Sequence, residues 1–222
     1  MSVNELFAAI DSGARERVVG LLAVDPSLAT TRDAEGVSAV MHALYHGHRD
    51  VAEIIAASVP SIDVFEATSL RKVERLHELL VADPSLVAAW SADGFTPLHY
   101  AAFFGDGAVA AMLLDAGSGP NVRSRNDFAV MPIHSAVAGK RGDVVRALVE
   151  AGADVNVTQR HGWTPLHGAA EHGDHATVEL LLRAGADPAA VNDDGKAATD
   201  LARTGGHEAL VERLEGAAGS GG

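Results

Sequence analysis

The stretch TPLHYAAFFGD, from Thr96 to Asp106, returns as TPLHGAAEHGD from Thr164 to Asp174, and a weaker copy, MPIHSAVAGKR, starts at Met131. A frame set on the alanine two places after the histidine gives Ala101, Ala136 and Ala169. The same frame finds Ala202 in GKAATDLARTGGH and Ala43 in GVSAVMHALYHGH. Two degenerate copies complete it, at Ala9 in ELFAAIDSG and Ala67 in DVFEATSLR. The intervals are 34, 24, 34, 35, 33 and 33 residues. Self-similarity at such a period marks stacked supersecondary units, none of which can bury its apolar face alone.

Each unit carries its own start and stop signals. Thr96 with Pro97, and Thr164 with Pro165, place a cap oxygen just before a residue suited to the first helical turn. Ala169 and Ala170 permit close helix approach, and Gly173 ends that helix. In the segment that follows, Val178, Leu181 and Leu182 lie at helical spacing and Gly185 provides a left-handed stop. VVRALVEAGADVN, from Val144, repeats that pattern and stops at Gly152. Asp187, Asn192, Asp193, Asp194 and Gly195 then supply turn chemistry suited to a hairpin.

This combination of T-P-L-H-x-A, G-A-D and a period near 33 residues resembles the ankyrin repeat, and it runs from about Asn4 to Leu214. The resemblance implies an all-α ankyrin-repeat solenoid of stacked helix-turn-helix units with short β-hairpin loops. The repeat domain is expected over residues 1–215, with a flexible Gly-rich tail over 216–222. It further implies a structural role for His99, His134 and His167, whose rings bond backbone in the neighbouring loop. Thr96, Pro97, Thr164, Pro165, Gly152 and Gly185 belong to the same frame.

The pattern breaks in three places. VDPSL and ADPSL stand where G-A-D is usual, and Asp25-Pro26 and Asp83-Pro84 stop the helix before them. Only 24 residues separate Ala43 from Ala67, which predicts a truncated loop near residues 59–62 and a notch or kink there. Arg15, Glu16 and Arg17 in the first unit, and Glu208, Glu212, Arg213 and Glu215 in the last, give polar outer faces. Such faces read as caps of a complete, free-standing array.

Composition narrows the function. The chain has 222 residues, 47% of them hydrophobic and only 5% aromatic, which suits closely packed helices better than a thick core. It has no cysteine, so disulfides and thiolate chemistry are excluded and a reducing compartment is compatible. A net charge of −13 argues against a nucleic-acid partner. Between residues 121 and 146, however, Arg123, Arg125, Lys140, Arg141 and Arg146 outweigh Asp127 and Asp143 by three charges, a face that reads as solvated. The start lacks a signal sequence and no run is long enough to span a membrane, so a cytoplasmic monomer is expected.

No catalytic motif is present: no nucleophile elbow, no P-loop and no dinucleotide fingerprint. The eleven histidines include the clusters HALYHGHRD, from His42, and HGAAEHGDH, from His167. Neither shows the H-E-x-x-H pattern, and both read as frame and surface residues, so no metal or cofactor is expected. The informative residues are aromatic. Phe103 and Phe104 end a first helix, where Glu171 and His172 stand two units on, and the resemblance implies that these positions face a concave groove. Phe95, Val130 and Trp163 follow the hairpin turns of three successive units, with Phe128, Arg160 and His161 just before them. Trp90 and Tyr100 read as packing residues instead. Aromatic residues and Arg are the types enriched where binding energy concentrates. The expected function is therefore a non-catalytic scaffold holding a protein partner in the groove. The alternative is a regulatory or protective accessory of one enzyme, with hydrolase or metal chemistry behind both.

Overall fold

Seven helix pairs follow the seven frame alanines. The computed structural model describes residues 2–219, and the chain divides into two compact units, Met1–Pro97 and Leu98–Gly222. The first unit holds α1 (Val3–Asp11), α2 (Arg15–Val24), α3 (Ala39–Tyr45), α4 (Arg49–Ser58), α5 (Val64–Ser69) and α6 (Val73–Ala82). Within it α1 packs on α3, α3 on α5, and α2 on α4. The second unit holds α7 (Pro97–Phe104), α8 (Gly107–Asp115), α9 (Pro132–Ala138), α10 (Gly142–Glu150), α11 (Pro165–Glu171), α12 (His175–Arg183), α13 (Ala198–Thr204) and α14 (Glu208–Gly219). There α9 packs on α11, α11 on α13, α8 on α10, and α10 on α12. Of the expected tail, residues 216–219 form the last turn of α14, and residues 220–222 lie outside the described residues.

The frame alanines are where the helices meet. All seven (Ala9, Ala43, Ala67, Ala101, Ala136, Ala169 and Ala202) are 0% exposed, so none has room for a larger side chain. Six also share one exit: the alanine carbonyl accepts the N–H five residues on, at 2.8–3.0 Å. The residue before that donor is left-handed in every case: Gly13, Gly47, Gly173 and Gly206, but also Arg71 and Lys140. After Ala101 the chain leaves differently. Gly105 donates to the Ala101 carbonyl at 3.0 Å, and Asp106 caps α8 by accepting the Val109 N–H at 3.0 Å.

Second helices bury an i, i+1, i+4 stripe, as in Val109, Ala110 and Leu113 of α8 or Val144, Val145 and Leu148 of α10. They stop at left-handed Gly117, Gly152 and Gly185 in the second unit, as the sequence predicts for the last two. Beyond these stops an asparagine ladder links neighbouring repeats. Asn121 Nδ2 donates to the Gly152 carbonyl at 3.0 Å while its Oδ1 accepts the Asp154 N–H at 2.9 Å. Asn156 repeats both bonds to Gly185 and Asp187, at 3.0 and 2.8 Å. In the DPSL segments Asp25 and Asp83 instead cap short 3-10 turns, Pro26–Thr30 and Pro84–Ala88.

The expected hairpins are reduced. Two isolated antiparallel bridges, Arg32↔Ser38 and Val191↔Ala197, stand in the hairpin loops. Each turn is closed by a backbone bond, Asp33 to Val37, Ser91 to Phe95, Ser124 to Val130, Gln159 to Trp163 and Asn192 to Lys196, and the first has a further rung from the Ala39 N–H to the Thr31 carbonyl at 3.1 Å.

Between Ser58 and Asp63 the chain has only a four-residue link, matching the predicted truncation. Asp63 caps α5 through the N–H groups of Phe65 and Glu66, both at 2.9 Å, and the Glu66 carboxylate accepts the Asp63 N–H and the Ser38 hydroxyl. Burial, reinforced by the Asp63 charge, pushes the Glu66 carboxyl above its usual range. The missing loop leaves a cleft of about 570 Å³ between α4 and α6, ringed by the ion pairs Lys72–Glu53 and Arg75–Glu78.

The three frame histidines are buried struts. His167 Nδ1 accepts the Thr164 N–H at 3.1 Å, so its Nε2–H donates to the Lys196 carbonyl at 3.0 Å. His99 Nε2–H donates to the Val130 carbonyl at 3.2 Å. His134 Nδ1 accepts the Met131 N–H at 3.1 Å, and its Nε2 turns toward the Trp163 carbonyl without reaching hydrogen-bond geometry. Burial pushes His99 and His134 down to about 4 and lowers His167 as well, so all three stand neutral at pH 7.

Candidate functional site

Two neighbouring loop tips of the second unit build a cleft of about 430 Å³, lined by Phe128, Gln159, Arg160, His161 and Trp163. The first tip, ahead of α9, is organised by Asn126, whose Oδ1 accepts the Phe128 N–H at 3.2 Å and the Ser124 hydroxyl at 2.9 Å. Ala129 then takes a left-handed conformation (φ 52°), which turns Phe128 outward at 60% exposure. The second tip, ahead of α11, closes through the Gln159 N–H to the Trp163 carbonyl at 2.9 Å. His161 is also left-handed (φ 62°).

The tips are tied to each other and onward. The Arg160 N–H donates to the Phe128 carbonyl at 3.1 Å, and the Asp193 N–H to the His161 carbonyl at 3.0 Å. Arg123 Nη1 donates to the carbonyls of Ala129 and Thr158, at 2.9 and 3.0 Å, so one guanidinium staples both loops. The Arg160 and His161 side chains are exposed, Trp163 is half-buried, and the Trp163 ring lies 6.0 Å from the His167 ring. A strut fixed in the core therefore supports the indole from behind. The cleft presents the Phe128 and Trp163 rings, the His161 imidazole and the Arg160 guanidinium on a preformed backbone.

The other expected contact residues do not join this cleft. Val130 is half-buried and offers its carbonyl to His99. Phe103 is 40% exposed at the end of α7, and its carbonyl accepts Arg141 Nε–H at 3.2 Å. Phe104, expected on the groove, is instead buried: its ring packs edge-on to Phe103 at 4.8 Å and parallel to Tyr100 at 6.5 Å. Helical geometry explains the difference, because consecutive residues point about 100° apart and only one can face out. Tyr100 is buried, as expected of a packing residue, and Trp90 is half-buried. Glu171 is exposed and gives its carbonyl to His207; His172 is half-buried at the same helix end, and neither lines the cleft. Phe95 belongs to the first unit, half-buried and held by Ser91 through its N–H at 3.0 Å. Of the basic stretch, Arg123 and Arg141 are spent on backbone carbonyls.

The histidines of HALYHGHRD were expected to stay apart, and they do not. His42 Nε2 lies 2.7 Å and His46 Nε2 3.5 Å from Asp11 Oδ1, and these three ligand atoms all fall within 4.8 Å of one another. Burial opposes a charge on His42, but Asp11 and Asp33 together outweigh it and raise its basicity. The sequence hides this grouping because Asp11 belongs to a different repeat. By contrast, His48 is a frame residue: its ring covers Gly13, where a Cβ would meet it at 2.6 Å, just as His207 covers Gly173.

Buried alanine frame, left-handed exits and histidine struts define a stacked-repeat protein. Its family is ankyrin: the profile described as "Ankyrin repeats (3 copies)" matches residues 6–126, 65–159, 112–193 and 133–217, and the chain belongs to that family. It is 35% identical over 149 residues to the tyrosine-protein kinase Shark of Drosophila melanogaster, an alignment covering 67% of this chain and 16% of the kinase. It is 36% identical over 115 residues to the ankyrin repeat and SOCS box protein 16 of Mus musculus, covering 48% of this chain and 25% of that protein. With the human protein phosphatase 1 regulatory subunit 27 it shares 38% over 84 residues, 38% of this chain and 54% of that subunit. The chain thus spans well under two thirds of each of these relatives. No helix among the described residues is long and apolar enough to cross a membrane.

Proposed function

We propose that the chain is a non-catalytic protein-interaction scaffold whose second unit docks a partner segment at the cleft of Phe128, Arg160, His161 and Trp163. The supporting observation is the cleft itself: two aromatic rings and an Arg held on loop tips that are already bonded to each other. A preformed surface loses little ordering entropy on docking, which favours affinity. Aromatic and Arg side chains are also the types whose truncation costs most in alanine scans, about 2 kcal/mol or more at a hot spot.

The test is a paired affinity capture with wild-type chain and the Phe128→Ala/Trp163→Ala double variant. A partner retained by wild type alone, with unchanged thermal unfolding of the variant, is the expected result. Equal capture by both removes the cleft from the binding surface. A second reading, a regulatory accessory of one enzyme, draws on the similarity to the phosphatase regulatory subunit. It requires that the captured partner be one enzyme whose rate changes when purified chain is added; several partners with unchanged rates exclude it.

A further inference from the structure

We propose that Asp11, His42 and His46 form a three-ligand site for a divalent transition-metal ion of the zinc type. The site lies wholly within the first unit, on α1, α3 and the residue that caps α3, and is independent of the loop-tip cleft. His42 lies on α3 and His46, four residues on, caps its C-terminal end, so both rings leave the same side of the helix, stacked at 4.4 Å and 20°. Asp11 is the last residue of α1, and its Oδ1 reaches both Nε2 atoms, at 2.7 and 3.5 Å. Donors about 2.0–2.1 Å from a tetrahedral ion sit about 3.3 Å from one another. These two separations straddle that spacing and the two Nε2 atoms lie within 4.8 Å of each other, so rotations of the half-exposed Asp11 and His46 side chains bring all three onto one ion.

What sets this trio apart from a chance surface cluster is the other side of each ring. His46 Nδ1 lies 2.9 Å from the His42 carbonyl, which can only accept, so Nδ1 carries the proton. His42 Nδ1 lies 2.9 Å from the Asp33 carboxylate, which likewise accepts from Nδ1–H. Without an ion His42 also donates from Nε2–H to Asp11 Oδ1; an ion takes the place of that proton, which leaves to solvent, and meets the Nε2 atoms of both rings where they converge on one carboxylate oxygen. Asp33 is itself fixed, accepting the N–H groups of Glu35 at 3.1 Å and Val37 at 2.8 Å, and its side chain is only 14% exposed. A carboxylate behind a ligand histidine orients the ring and raises its donor strength, the usual outer shell of a zinc site. Phe7 packs edge-on against His42 at 4.8 Å and restricts that ring further.

The donor set selects the ion class. Two imidazoles and one carboxylate oxygen suit zinc, nickel or copper, whereas calcium and magnesium require an oxygen shell. The exposed side of Asp11 and His46 leaves the fourth position to water. His48 is not a candidate for it, because its Nε2 bonds the Asp11 carbonyl at 3.3 Å and its ring covers Gly13.

Calorimetric titration of Zn²⁺ into the chelator-treated full chain at pH 7.5, followed by Co²⁺ absorption spectroscopy, tests the assignment. One equivalent is expected to bind, with the visible bands of tetrahedral Co²⁺ appearing in step. His46→Gln and Asp11→Asn should each abolish that uptake while their far-UV circular dichroism stays that of wild type. Asp33→Asn, which touches no ion, should weaken it by about 10–100-fold. His175→Gln, at an exposed histidine of the second unit, should leave it unchanged. Absence of a one-equivalent binding event in wild type overturns the proposal. So does uptake that survives His46→Gln or is lost with His175→Gln.

Discussion

His99 and His134 carry the pH response of the second unit. Each folded pKa is about 4 because burial disfavours the charged ring, against an ordinary 6.5. For His134 the Arg123 and His99 charges push in the same direction. Above pH 6.5 both rings are neutral whether folded or not. As pH falls toward 4 the unfolded chain takes up protons that the folded chain refuses, so stability falls through that window. Each histidine removes up to about 3 kcal/mol across it. Urea midpoints measured from pH 7.5 to 4 should decline, and His134→Gln should flatten the decline; a midpoint constant across that range would refute the argument. The same scale shows where sequence reading stops. His99 and His167 were legible as struts because a repeated motif names them. The Asp11–His42–His46 convergence was not, since one helix and its cap supply the pair and another repeat supplies the oxygen.

Helix starts differ among the repeats in ways that stability can report. Thr164 begins α11 with its hydroxyl 2.7 Å from His167 Nδ1 and 3.4 Å from the His167 N–H, whereas the equivalent Met131 of α9 offers no cap oxygen. Thr164→Ala should cost about 1–2 kcal/mol and Met131→Thr should gain about 1 kcal/mol, both read as shifts in the chemical-denaturation midpoint. An unchanged midpoint in Thr164→Ala would mean that the neighbouring Pro165 alone sets the helix start. Most elements could be placed from their punctuation: Thr-Pro openings, Gly exits and the short link before α5. The orientation of adjacent aromatics could not. Phe103 and Phe104 look equivalent in the string TPLHYAAFFGD, and only helical phase decides that one is exposed and the other buried. Left-handed Ala129 and His161 were equally hidden, because neither residue type announces that conformation.

For the whole molecule, the chain offers two built-in probes. Its two tryptophans fall one to each compact unit, Trp90 in Met1–Pro97 and Trp163 in Leu98–Gly222. Trp90→Phe and Trp163→Phe leave single reporters. His99, His134 and His167, all with lowered pKa, belong to the second unit. Lowering the pH from 7.5 to 4.5 should therefore shift the Trp163 fluorescence midpoint further than the Trp90 midpoint. Equal shifts would show that acid acts through groups spread along the chain. The period near 33 residues carried the reading at this scale, since every break in it corresponds to a change in the fold: the DPSL turns, the four-residue link and the cleft beside it.

The strut and ladder bonds have one more consequence, for how the chain comes into being. His99 reaches Val130 across 31 positions, His167 reaches Lys196 across 29, and Asn121 reaches Gly152 across 31. Each tie closes with the repeat immediately downstream. During synthesis a repeat can thus complete its polar bonds as soon as its successor leaves the ribosome. Nascent chains arrested at successive repeat boundaries would acquire protection from protease one step at a time, in the order in which they are translated.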